Sequence, residues 1–211
     1  MKLDTNIKTR FDTNVSQIKV KGKRWYYSNN NLKISITTYL RTIAKGIGFQ
    51  KWLGNADSYD AAMQYAYMKA DRGTTVHDDI QTLIQGGEII LDGMEEWRIK
   101  RLKQFEKWWN KYNPTPLLVE VPLFKKDYPY AGTVDLICEI DNKNVIVDWK
   151  TGNTYRSHYL QMNSYRVLSD ICIDEMWLQR LTNYQTNYVY LPKPEKVPVI
   201  DEKLLQSIYD V

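Results

Sequence analysis

Two prolines, Pro114 and Pro116, divide the chain into stretches whose apolar residues recur at different periods, and this change constrains the fold more than any other feature. Before them, Met94, Trp97, Phe105, Trp108 and Tyr112 recur at helical steps with Lys and Arg between them, which predicts an amphipathic helix over 94–112. Proline lacks the N–H that a helix interior needs and restricts the residue before it, so the helix must end there. Beyond them the period becomes two, or the apolar run is continuous, over 117–124, 132–140 and 145–149. The intervening 125–128 and 141–144 are rich in turn formers, so these are three strands, the last two joined as a hairpin. A chain that changes from helix to strand period in this way belongs to the α/β class.

The remaining segments fill out that class. Ile18, Val20, Trp25 and Tyr27 bracket Lys21-Gly22-Lys23, which predicts an N-terminal hairpin over 17–27. A helix is expected over 35–52, shortened or broken by Gly46 and Gly48, and another over 57–70, rich in Ala. Gly73, followed by Thr74 and Thr75 as caps, predicts a separate helical segment over 76–84 that Gly86-Gly87 stops. Helical spacing returns over 158–171 through Leu160, Val167 and Ile171, strands are expected at 175–181 and 188–191, and a short helix at 202–209. No internal repeat or low-complexity linker invites a domain cut, and 211 residues suit one core. The expectation is therefore a single domain over 1–211: an N-terminal hairpin and helix elaboration over 1–55, a core over 56–192, and a C-terminal helix over 193–211.

Composition excludes more than it proves. There is no apolar run of eighteen residues and no signal-like start, so a cytoplasmic protein with no membrane partner is expected, and a bacterial or phage-infected cell suits the compact form. Two cysteines, Cys138 and Cys172, are too few for a disulfide framework or a thiolate metal site, and both read as reduced and buried. A net charge of +4 permits a nucleic-acid partner without demanding one, while 16 Tyr and 7 Trp among the basic residues suit stacked bases as well as a core.

The chemistry-bearing residues lie on two of the strands. Asp135 sits in GTVDLI and Asp148 in VIVDWKTG, each among apolar residues where a lone carboxylate would cost several kcal/mol, on the order given by transfer and mutational data. A divalent cation shared by carboxylates on adjacent strands removes that cost. Lys150, two residues beyond Asp148, emerges on the same strand face, placing an ammonium beside a carboxylate. Phosphodiester hydrolysis needs an activated water and a stabilised developing charge, which a metal and a nearby lysine supply. Read alone, Asp148 and Lys150 are equally an ordinary same-face ion pair.

The motifs RGTTVHDD, LVEVPL, YAGTVDLI, VDWKTG and QMNSY, in that order, resemble the RecB-like branch of the PD-(D/E)xK nuclease superfamily. Upstream, KRWYY and SITTYL look like its phage-type and mitochondrial genome maintenance exonucleases; the likeness spans roughly 20–190 and is densest over 72–165. It implies a restriction-endonuclease-like core, a mixed central sheet flanked by helices, and a Mg²⁺- or Mn²⁺-dependent DNA exonuclease acting in recombination, repair or replication. It implies Asp135, Asp148, His77 and the Trp149 backbone carbonyl as metal ligands, with Lys150 acting on the water or the developing charge. The His77 imidazole would favour Mn²⁺. Glu120 matches an acid that serves as a site neighbour or second-metal ligand, and an exposed edge-strand carboxylate is its alternative reading. Gln161 and Tyr165, one helical turn apart and off the core stripe, would edge the site toward a DNA phosphate, and Arg72 would neutralise a phosphate; His158 matches no motif position and is left outside the site. The implied partners are DNA with free ends or single strands and a recombination or replication protein. No iron–sulfur cluster is expected from two cysteines. A DNA-binding accessory subunit on a nuclease fold and a flap endonuclease are the alternatives.

Overall fold

In a computed structural model of the chain, residues 1–3, 14–41, 52–182 and 193–209 are described. The expected class is borne out: the protein is α/β, with a mixed eight-stranded sheet flanked by helices. In chain order the elements are β1 (Ser16–Val20), β2 (Lys23–Ser28), β3 (Asn31–Ser35), α1 (Ile36–Leu40), α2 (Tyr59–Ile84), α3 (Glu96–Tyr112) and β4 (Thr115–Leu123). There follow β5 (Tyr130–Ile140), β6 (Lys143–Lys150), α4 (Arg156–Leu168), β7 (Glu175–Arg180), β8 (Glu195–Lys196) and α5 (Glu202–Tyr209). The sheet order is β1-β2-β3-β5-β6-β7-β8, and β4 pairs antiparallel with β5 off that path. β5 and β6 form the expected hairpin, with Asp141 and Asn142 both at positive φ in its turn. β6 and β7 run parallel, as a connection through a crossover helix, α4, requires.

Several expectations need correction. The segments 57–70 and 76–84 are one helix, α2, that runs through Gly73. Thr74 and Thr75 do not cap a second segment; their hydroxyls donate to the Ala70 and Asp71 carbonyls four residues back, which keeps the helix satisfied. The N-terminal hairpin exists, but Asn29 and Asn30, both at positive φ, turn the chain into a third strand that joins the central sheet through Ile34↔Tyr130. Within the expected 35–52 helix, α1 occupies Ile36–Leu40, while Gly46 and Gly48 lie outside the described residues. The expected 188–191 strand lies outside them too, and β8 was not anticipated. α4 begins two residues earlier than expected and ends at Leu168, which leaves Ile171 beyond the helix. Cys138 is buried, but Cys172 is exposed.

The sheet separates two apolar clusters. On one side α2 and α3 bring Val76, Ile80, Leu102, Phe105 and Trp108 against Leu136, Val147 and Trp149. On the other, α1 and α4 bring Ile36, Met162, Tyr165 and Leu168 against Val134, Ile137, Ile146 and Leu178. Strand alternation therefore sends Trp149 toward α3, where it meets Phe105 and Trp108 edge-on at 5.2 and 4.8 Å between centroids. Asp148 and Lys150, one residue out of phase with it, share a side with Ile146 and α4. No helix among the described residues is long and apolar enough to cross a membrane.

Candidate active site

The site forms where the β5 ladder is interrupted on both edges. Toward β6 the pairing stops at Leu136↔Val147, and the Trp149 N–H donates instead to Asp135 Oδ2 at 2.9 Å. Toward β4, Val119 pairs with Leu136 and Val121 with Val134, but the pair between them, Glu120 with Asp135, is missing. Glu120 is the cause: its φ is +50°, a conformation that a non-glycine residue in a strand adopts at a cost of about 1–3 kcal/mol. Backbone strain of this kind persists only where surrounding structure holds it, and here it turns an acid toward Asp135.

His77 reaches the same place from α2. Its Nδ1 lies 3.3 Å from Asp135 Oδ2 and its Nε2 lies 3.0 Å from the Trp149 carbonyl oxygen. Both neighbours are acceptors, so both ring nitrogens are satisfied only when each carries a proton. Burial alone would lower the His77 pKa, but the Asp135 carboxylate, with Asp148 and Glu120 behind it, reverses this and raises it to about 9. Burial pushes the Glu120 carboxyl up to about 8, with Asp135 adding to the effect. Asp135 moves the other way: burial opposes its ionisation, but the His77 imidazolium holds its pKa below the ordinary value. His77, Glu120 and Asp135 each offer a ligand atom, and these atoms all lie within 4.8 Å of one another. Glu120 is half-buried, so the alternative reading of it as an exposed edge-strand carboxylate does not hold.

Asp148 and Lys150 form the inner half of the site. Lys150 Nζ lies 2.5 Å from Asp148 Oδ2, the same-face relation that their spacing predicts. Asp148 is 1% exposed, and burial raises its pKa to about 6 although Lys150 opposes the shift. Gln161 completes the arrangement. Its amide nitrogen donates to Asp148 Oδ1 at 3.2 Å and to the Tyr165 hydroxyl at 2.8 Å, and its carbonyl oxygen accepts from Lys150 at 3.4 Å. Gln161 and Tyr165 are thus buried parts of the site, not an exposed flank, because their polar ends find partners inside it. Gly132 makes room for the Tyr165 ring: a Cβ there would lie 2.6 Å from Tyr165 Cε1.

The other expected residues divide. The Trp149 carbonyl stands beside His77. Asp148 is tied to Lys150 and Gln161 and is not one of the three clustered ligand groups. Arg72 lies with its guanidinium over the Trp97 ring, 4.8 Å from the centroid, and not against the carboxylates. Two residues that sequence reasoning passed over come close. Asp78 adds to the negative field on Glu120, and His158 feels the Lys150 ammonium. The position of His158, three residues before Gln161 on the same helix, is the signal that could have found it.

No family model matches the chain, and no curated protein does. Among solved structures it is similar to one titled "Crystal structure of SSO0001", at 18% identity over 53% of this chain, with a TM-score of 0.37. The chain spans about half of that protein, 55% of its length, and so slight a likeness carries no argument about fold or function.

Proposed function

We propose that this chain is a Mg²⁺- or Mn²⁺-dependent deoxyribonuclease, acting as an exonuclease on DNA. The observation that carries the reading is the convergence of His77, Glu120 and Asp135 within 4.8 Å, next to a lysine held against a buried aspartate. The donor set fits a divalent cation: burial opposes the ionisation of both Glu120 and Asp135, and a cation is the partner that removes that cost. His77, Glu120 and Asp135 would hold it, His77 giving up one ring proton to the solvent to do so, with the Trp149 carbonyl beside them, and the imidazole in the set favours Mn²⁺ over an all-oxygen site. When bound, such an ion lowers the pKa of water and offsets charge on a phosphoryl oxygen.

The chain's own groups have separable tasks. Lys150 has its ammonium fixed by Asp148 and Gln161, so it meets a phosphate in one orientation and counters the charge that develops there. Gln161 spends both amide hydrogens, on Asp148 and on Tyr165, and so prevents Asp148 from swinging away from the lysine. His77 and Asp135 hold the Trp149 backbone at both its carbonyl and its N–H, while Phe105 and Trp108 clamp its ring. The test is digestion of linear single- and double-stranded DNA, labelled at either end, with Mg²⁺, Mn²⁺ or EDTA. Metal-dependent shortening that Lys150→Ala lacks is the expected result. Binding without cleavage would move the reading to a DNA-binding accessory subunit, and internal cuts without end-shortening to an endonuclease.

A further inference from the structure

The α4 row that faces the site continues past Gln161. Tyr165, Gln161 and His158 are four and three residues apart, so they share one helix face. The row runs outward, since Tyr165 and Gln161 are buried while His158 is half-buried. Two contacts fix the imidazole. The Tyr155 N–H donates to His158 Nδ1 at 3.1 Å, and the Tyr155 ring meets the imidazole edge-on with centroids 5.5 Å apart. With Nδ1 an acceptor, the neutral ring carries its proton on Nε2, and among the described residues that N–H meets no acceptor.

The charges around the ring say what it can bind. Burial, with the Lys150 ammonium adding to it and Glu195 opposing it, lowers the His158 pKa to about 4. Glu195 is already engaged, accepting from the Thr154 and Tyr159 hydroxyls. The first turn of α4 holds no acid and carries the exposed Arg156. His158 therefore offers a fixed, neutral donor on the same helix face as Gln161, whose carbonyl oxygen accepts from the Lys150 ammonium, and a ligand that satisfies the donor and the ammonium together is an anion with acceptor oxygens. Of the carboxylates nearby, Asp148 is held by Lys150 and Gln161, and Glu195 by Thr154 and Tyr159.

We propose that His158, through Nε2–H and alongside Lys150, binds a nonbridging phosphate oxygen of the nucleic-acid strand, a contact that no motif of the resemblance assigns. The inference rests on the nuclease reading for its substrate and adds a substrate-binding residue to it. His158 also has a structural task, because a side chain at the third helical position that accepts the N-cap N–H stabilises the helix start. The two tasks separate by substitution. His158→Gln keeps an acceptor for Tyr155 and an amide donor for phosphate, whereas His158→Glu keeps the acceptor and replaces the donor with a negative charge.

The experiment measures Kd for an end-labelled single-stranded oligonucleotide in EDTA by fluorescence anisotropy, with melting temperatures of the same samples. His158→Gln is expected within about threefold of the parent and His158→Glu weaker by about tenfold or more, as loss of a hydrogen bond to a charged group predicts, both melting like the parent. In a second arm, single methylphosphonate linkages neutralise one phosphate at a time. One position is expected to weaken parent binding about tenfold and His158→Ala by clearly less, the remainder being the contact with Lys150. Parent-like affinity in a folded His158→Glu, or a methylphosphonate penalty that persists in full in His158→Ala at every position, overturns the contact. A parent protein that neither binds nor shortens DNA overturns the nuclease reading itself, whereas metal-dependent cleavage with unchanged His158 variants overturns this contact alone.

Discussion

Gly132→Ala tests the packing that holds the inner half of the site. A Cβ at Gly132 would lie 2.6 Å from Tyr165 Cε1 and 2.9 Å from Ile36 Cδ1, where ordinary contacts begin near 3.4 Å. Ile36 Cδ1 is the free end of a side chain and can turn aside. The Tyr165 ring is 3% exposed, and its hydroxyl is bonded to Gln161, so it must move by roughly 1 Å within a packed core. Overpacking of this kind costs about 1–3 kcal/mol. Against it stands a gain of about 0.4–1 kcal/mol, because alanine has less unfolded-state entropy to lose than glycine. A net loss of about 1–2 kcal/mol is expected, read as a lower urea midpoint with an unchanged slope.

The same substitution made with Tyr165→Leu has the opposite sign. The leucine lacks the atom at 2.6 Å, and its branches end near the position of Tyr165 Cδ1, 3.5 Å from the added Cβ and an ordinary contact. Only the unfolded-state gain then remains, so Gly132→Ala becomes neutral or stabilising and the double-mutant coupling exceeds about 1 kcal/mol. Equal effects in the two backgrounds would refute the reasoning. The parent-background variant is also expected to lose the proposed nuclease activity beyond its loss of stability, because the displaced hydroxyl releases Gln161 from Asp148 and Lys150.

Arg98→Ala leaves Asp79, which accepts two bonds of 2.6 Å from that guanidinium, buried without its partner. Allowing for the partial exposure of Arg98, a loss of about 2–4 kcal/mol is expected in urea unfolding, and adding Asp79→Ala should recover part of it. Mn²⁺ at about a hundred times its Kd is expected to stabilise the protein by about 2.7 kcal/mol, roughly 5–10 °C in melting temperature. His77→Ala should abolish most of that rise while Arg72→Ala keeps it; an equal rise in all three proteins refutes the metal centre. Hydrogen bonds from Lys143, then Lys196 and Trp177, lower the Glu175 pKa from 4.5 to about 2. Its folded-state pKa is depressed, so this stabilisation is complete above about pH 4.5 and vanishes as pH falls through about 2. Glu175→Gln should therefore be less stable than the parent at pH 7, with the gap closing toward pH 2 in urea titrations; a gap that does not depend on pH counts against it.

Where packing follows apolar period, the fold was legible. The helix before Pro114 and the strands on either side of the Asp141-Asn142 turn stand where the residues place them, because one element buries a stripe and the others bury whole faces. Period failed where polar side chains turn inward. On α4 the apolar stripe predicted a core face through Leu160 and Val167, yet Gln161 and Tyr165 are more deeply buried than Leu160, since Asp148 and Lys150 are there to receive them. Propensity failed at Gly73. A glycine costs a helix about 1 kcal/mol, but this one sits where a Cβ would come within 3.2 Å of Thr151 Oγ1, and Val76, Ile80 and Ile84 bury the helix beyond it. Local weakness there is outweighed by tertiary packing.

Residue types at the site were legible in the same way, but their division of labour was not. The Asp148-x-Lys150 spacing puts two charges on one strand face and leaves open whether the carboxylate serves a cation or the lysine. What decides is the competition around each acid. Asp148 already has an ammonium at 2.5 Å and an amide donor, whereas Asp135 has the His77 imidazole and the Trp149 N–H on one oxygen, and Glu120 faces its negative charge. That imbalance arises from the +50° φ of Glu120 and the end of the β5–β6 ladder at Leu136↔Val147, two backbone facts that no side-chain pattern encodes. In the proposed metal centre a cation would therefore be drawn first to the outer trio, and Asp148 would join it only as far as Lys150 and Gln161 release an oxygen. On this argument Gln161→Ala, which frees Asp148 Oδ1, should leave Mn²⁺ affinity intact or improve it while impairing cleavage; a parallel loss of both would mean that Asp148 binds the ion through the orientation Gln161 imposes.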